Sequence, residues 1–138
     1  MGRSYRTLGR YDAAIDALRR AADLGPPNAD LLGTLGEVVV ASAQGMVVPE
    51  ARQVFLETLG VQPGDPRARF YLGLARAQIG DAAGAIAVWK DLEQDSSPDV
   101  PWLTELRDEI AQTAATAGLD AATIAPKPET ALTGTAAP

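Results

Sequence analysis

The feature that most limits what this chain can become is a repeat about 34 residues long, marked independently by two sets of small residues. Gly36 follows Gly2 by 34 positions and Gly73 follows Gly36 by 37, while Ala51 follows Ala14 by 37 and Ala85 follows Ala51 by 34. The two sets agree on the unit, and the three surplus residues must lie between Gly36 and Ala51, where Gln44-Gly45-Met46-Val47-Val48 reads as a lengthened turn. A large apolar residue stands four places after each alanine (Leu18, Phe55, Trp89), and a helix stop follows eight further on: Pro26, Pro63, and Ser97 with Pro98 one place late. A period of this size requires each unit to be one supersecondary element that buries its apolar face only by stacking on its neighbours.

Small residue, large apolar residue and proline form one half of the tetratricopeptide pattern. Leu35-Gly36, Leu72-Gly73 and the Gly2/Tyr5 spacing supply the other half. In such a unit Gly36 and Gly73 let the two helices of a pair approach, with Ala14, Ala51 and Ala85 across the contact, while Leu18, Phe55 and Trp89 fill the space between pairs. Gly9 and Gly80 are positioned to end helices, Asp81 to cap the next, and Asp65-Pro66 and Val48-Pro49 to begin helices with proline in the first turn. The reading is all-α: helices over about 1–8, 11–24, 29–43, 49–61, 66–79 and 82–95, then a seventh over 100–117. These make about two and a half helix-turn-helix repeats (about 1–28, 29–65 and 66–98) in a right-handed superhelix. The last helix puts Leu103, Leu106, Ile110 and Ala114 on one face and is expected to cap the array, completing a domain over 1–117. The chain begins at the seventh position of its first repeat, which suggests a fragment or an array that continued upstream. Residues 118–138, rich in Ala, Thr and Pro without helical period, are expected to form a disordered tail.

Composition removes whole classes of chemistry. There are no cysteines and no histidines, so disulfides, thiolate nucleophiles, most zinc sites and histidine-ligated haem are unavailable. Twelve basic against 18 acidic residues, net charge −6, with no basic stripe, argue against nucleic acid. No apolar run is long enough to span a membrane, and the opening MGRSYRTLGRY has no signal-peptide core. Asp91, Glu93 and Asp95 cluster at a helix end without a base, a metal cluster or a glycine-rich phosphate loop. No enzyme activity, cofactor or metal is expected.

The run Pro63-Gly64-Asp65-Pro66-Arg67-Ala68-Arg69-Phe70-Tyr71-Leu72-Gly73-Leu74-Ala75 continues through Gln78-Ile79-Gly80-Asp81 to Trp89 and Ser97-Pro98-Asp99-Val100-Pro101-Trp102. With the turn Val47-Val48-Pro49-Glu50-Ala51, it resembles the C-terminal repeat domain of the CcmI/CycH family of bacterial cytochrome c maturation proteins, over about residues 1–117. The resemblance implies a periplasmic domain tethered by an upstream membrane segment. It implies a chaperone that holds apocytochrome c, notably its C-terminal helix, and hands it to the haem ligation machinery among the cytochrome c maturation components.

In tetratricopeptide repeats the first helix of each pair lines a concave surface through positions 2, 5, 9, 12 and 13. Here those are Arg3, Arg6 and Thr7, then Asp30, Gly33, Glu37, Val40 and Ala41, then Arg67, Phe70, Leu74, Ala77 and Gln78. The expected partner groove is Arg3, Arg6, Glu37, Val40, Arg67, Phe70, Leu74 and Gln78, with an apolar floor of Phe70, Leu74 and Val40 and arginines for the acids of a bound helix. The competing readings are ordinary ones: Phe70 and Leu74 as core, the arginines as a solvated face, Glu37 as a surface acid. Trp89 reads as core, Trp102 as a seal on the last helix, and Met46 as a gap-filler rather than a haem ligand. The Lys and Asn of a carboxylate clamp are absent, Arg3, Glu37, Leu74 and Gln78 standing in comparable places. A scaffold that docks a neighbouring subunit, or self-associates through the incomplete first repeat, is the alternative to a peptide chaperone.

Overall fold

The computed structural model describes residues 5–135, and the side chains of residues 9–132. In order along the chain come α1 (Tyr5–Leu24), α2 (Ala29–Ser42), α3 (Pro49–Val61), α4 (Pro66–Gln78), α5 (Ala82–Asp95), α6 (Leu103–Ala117), a 3-10 turn (Ala121–Thr123) and α7 (Glu129–Thr135), with no strand among the described residues. The chain forms two compact units, Met1–Ala68 and Arg69–Pro138.

In the first unit α1 packs on α2 and α2 on α3. Asn28 caps α2 by accepting a hydrogen bond from the Leu31 N–H at 3.1 Å. Phe55 is wholly buried against Gly36, where an added Cβ would come within 2.5 Å of the ring. Ala51 and Val54 share its face of α3, and Thr58 joins them by returning its hydroxyl to the Val54 carbonyl at 2.8 Å. The surplus residues form the expected turn. Gln44 and Gly45 take positive φ of 59° and 91°, and the Gly45 N–H closes on the Val40 carbonyl at 2.9 Å. Asp65 caps α4 as expected, its carboxylate accepting the Ala68 N–H at 2.9 Å.

The second unit repeats that joint with larger parts. Trp89 is wholly buried against Gly73, where an added Cβ would lie 2.3 Å from the indole nitrogen. The indole N–H donates to the Phe70 carbonyl at 3.0 Å, and the ring stacks on that of Phe70 with centroids 5.8 Å apart. Ala85, Ile86, Trp89 and Leu92 of α5 meet Leu103, Leu106, Ile110 and Ala114 of α6 in one core, with Trp102 packed at its margin. Arg69, nearly buried, holds Asp91 at 2.7 Å and Asp95 at 2.9 Å.

Two expectations give way. Instead of a break at Gly9, α1 is one helix from Tyr5 to Leu24. The contrast with Gly80 supplies the reason. Gly80, at φ 92°, is followed at once by Asp81, which accepts the Gly84 N–H at 3.0 Å and starts α5. After Gly9 come Arg10 and Tyr11, neither of them a capping residue, and a glycine inside a helix costs only about 1 kcal/mol, too little to end it.

The second departure is the chain after Gly118, which is structured among the described residues. Lys90 Nζ donates to the carbonyls of Ala121 at 2.7 Å and Ile124 at 2.6 Å. The Lys127 N–H donates to the Ala87 carbonyl at 3.0 Å. Arg76 holds Glu129 through two parallel bonds, Nε to Oε2 at 2.7 Å and Nη2 to Oε1 at 3.1 Å. These are mostly main-chain contacts, and they need no helical period in the sequence that makes them.

Candidate peptide-binding surface

In the first unit the repeat brings Asp30, Gly33, Thr34 and Glu37 of α2 together with Arg67 of α4. The guanidinium lies over Gly33, so close that an added Cβ would meet Nε at 2.7 Å. From there Nη2 reaches Asp30 Oδ1 at 2.8 Å, and Nη1 reaches Glu37 Oε1 at 3.0 Å and Thr34 Oγ1 at 3.3 Å. Burial opposes the charge on Arg67, but hydrogen bonds to Glu37 and Asp30 outweigh it and the net shift in its pKa is upward. Arg67 is therefore a fixed cation already engaged by two carboxylates. One arginine against two acids leaves this patch negative, with the Asp30 side chain 89% exposed.

Of the other expected groove residues, Val40 does not offer a surface: it is only 5% exposed and belongs to the core of the first unit. Arg3 lies outside the described residues, and Arg6 lies in α1 with its side chain outside them. In the second unit Phe70, Leu74 and Ala77 are half-buried and pack against the α5–α6 core, which leaves each part of its surface outward. Gln78 is half-buried at the end of α4. Along α4 itself, Arg67, Phe70, Leu74 and Gln78 fall at intervals of three and four, so one stripe of that helix carries them all. Among the described residues no group of three His, Cys, Asp or Glu is placed to hold a metal, and no helix is long and apolar enough to cross a membrane.

The glycine-aromatic joint, made twice, is what a tetratricopeptide unit requires, and the family profile described as tetratricopeptide repeat matches residues 1–42 and 47–101. The chain belongs to the tetratricopeptide-repeat family. The interval it skips falls in the long turn after α2. CycH of Rhizobium meliloti (strain 1021), named a cytochrome c-type biogenesis protein, is 39% identical over 111 residues, 80% of this chain and 29% of its own length. CycH of Bradyrhizobium diazoefficiens, of the same name, is 34% identical over 95 residues, 69% of this chain and 26% of its own. The chain thus spans less than a third of these relatives. No solved structure matches it. The chain is a tetratricopeptide-repeat interaction module similar to part of a cytochrome c biogenesis factor.

The Arg76–Glu129 pair and the Lys90 contacts escaped the sequence reading. A lone Pro-Lys-Pro-Glu stretch gives no sign of which cation receives its carboxylate.

Proposed function

We propose that this chain is a non-catalytic, periplasmic chaperone module of cytochrome c maturation that holds the C-terminal helix of an apocytochrome c. The observation that carries the reading is its 39% identity to a CycH protein over four-fifths of its length. The surface chemistry supports it. The partly exposed aromatic and aliphatic surface of Phe70 and Leu74 suits the apolar stripe of an amphipathic helix. In the first unit, the acidic patch of Asp30 and Glu37 suits the basic residues of a partner. Within the first unit Arg67 contributes less as a free cation than as the residue that orders Asp30 and Glu37. Two and a half repeats engage a short helix, with micromolar affinity, about −8 kcal/mol.

Calorimetric titration with synthetic apocytochrome C-terminal helices, against a scrambled control, tests this. Saturable binding to the native helix alone, weakened by Phe70→Ala with Leu74→Ala, is the expected result. Equal heats from both peptides would sink the proposal and leave a scaffold for a neighbouring subunit as the better account.

A further inference from the structure

Residues 121–129 are held in the manner of a bound peptide. Of the four groups they present to α4 and α5, three are main-chain: the carbonyls of Ala121 and Ile124 on Lys90, and the N–H of Lys127 on the Ala87 carbonyl. Such contacts fix the path of a main chain, here a 3-10 turn at Ala121–Thr123 followed by irregular chain up to the start of α7, and ignore its sequence. Selectivity comes from two side chains. Ile124 packs on the α5–α6 core, and the Glu129 carboxylate, with 2% of its side chain exposed, is gripped by Arg76 in the two-pronged geometry that suits guanidinium and carboxylate. Pro126 and Pro128 flank Lys127 and pre-set an extended chain, which lowers the entropy lost on docking.

The receiving residues are not demanded by the repeat. At the positions of Arg76, Ala87 and Lys90 the preceding repeat has Val39, Gln53 and Leu56, and Gln53 there is exposed. Arg76 also donates to Asp81 at 2.9 Å, so its charge keeps a partner if Glu129 leaves. We propose that the face of α4 and α5 bearing Arg76, Ala87 and Lys90 is a receptor for a peptide that docks through its main chain and one carboxylate, and that residues 121–129 are its resident occupant. It is a second binding surface, distinct from the Arg67, Phe70, Leu74 and Gln78 stripe, and it recognises main-chain groups and a carboxylate where that stripe suits the side chains of a helix.

The probe is a fluorescent peptide of residues 119–132, read by anisotropy against the full chain and its Glu129→Gln variant, each checked for helical content by circular dichroism. The variant loosens the resident segment, so it should bind the peptide saturably and at least about tenfold more tightly than the unaltered chain, whose own segment competes at high effective concentration. A peptide carrying Glu129→Gln should bind the opened chain at least about tenfold more weakly, and Arg76→Ala introduced into that chain should abolish the difference between the peptides. Uptake of neither peptide, or of both equally, overturns the proposal. Hydrogen exchange in the unaltered chain decides the matter independently of any variant. The Lys127 amide should exchange at least about tenfold faster than that of Leu92, because an occupant leaves before the core opens. Equal rates would make residues 121–129 part of the core and refute a receptor role.

Discussion

The helix pair α2–α3 and the pair α4–α5 are the same construction under different conditions. Each places a glycine against a buried aromatic ring, Gly36 with Phe55 and Gly73 with Trp89. In α3 the buried residues are Ala51, Val54, Phe55 and Thr58, a single stripe. In α5 every residue from Gly84 to Trp89 is buried, and Leu92 as well, since α6 lies on one side and the segment after Gly118 on another. The pattern that specifies a repeat therefore fixes the joint inside it, while the surroundings decide how much each joint contributes to stability.

The largest effect should separate the two joints. Trp89→Ala is expected to cost about 4 kcal/mol and Phe55→Ala about 3 kcal/mol in urea denaturation, because Trp89 removes more buried surface and also a hydrogen bond to Phe70. Gly36→Ala should cost about 2 kcal/mol in the unaltered chain and almost nothing once Phe55 is alanine. A cost that stays the same in both backgrounds would show that the ring and the glycine are not in contact.

Next in size is a contrast between the two arginines. Arg76→Ala strands the buried Glu129 carboxylate and should destabilise by about 3 kcal/mol. Arg67→Ala leaves Asp30 and Glu37 reachable by solvent and should cost no more than about 1 kcal/mol, shrinking as salt is added. Equal losses would mean that Glu129 is hydrated in solution. The smallest pair concerns glycines. Gly80→Ala forces a Cβ into the left-handed region and should cost about 1 kcal/mol, whereas Gly9→Ala, inside a continuous helix, should stabilise by up to about 1 kcal/mol. A destabilising Gly9→Ala in thermal melts would restore the break that the sequence suggests.

The fold was readable wherever punctuation and period coincide. Val48-Pro49, Asp65-Pro66 and Gly80-Asp81 place the starts of α3, α4 and α5, and the Leu103, Leu106, Ile110, Ala114 spacing places α6. Gly9 misled because a glycine without an adjacent cap is compatible with a helix. The surface was harder to read. Val40 occupies a groove position by period, yet burial is decided by what stands opposite, and period does not report that. Arg67 was legible as a cation but not as one already paired, because its acids lie 37 and 30 residues earlier. Apart from the Ile124 and Glu129 side chains, the docking of residues 121–129 rests on main-chain carbonyls and an N–H, groups that nearly every sequence possesses.

The long turn after α2 carries one further consequence. Met46 stands on it 50% exposed, and it is the only sulfur among the described residues of a chain without cysteine. A peroxide reaching the protein would therefore convert Met46 to its sulfoxide while touching no packed side chain and no thiol. That places the susceptible atom on the insertion that the repeat does not need, and the damaged molecule should melt like the intact one.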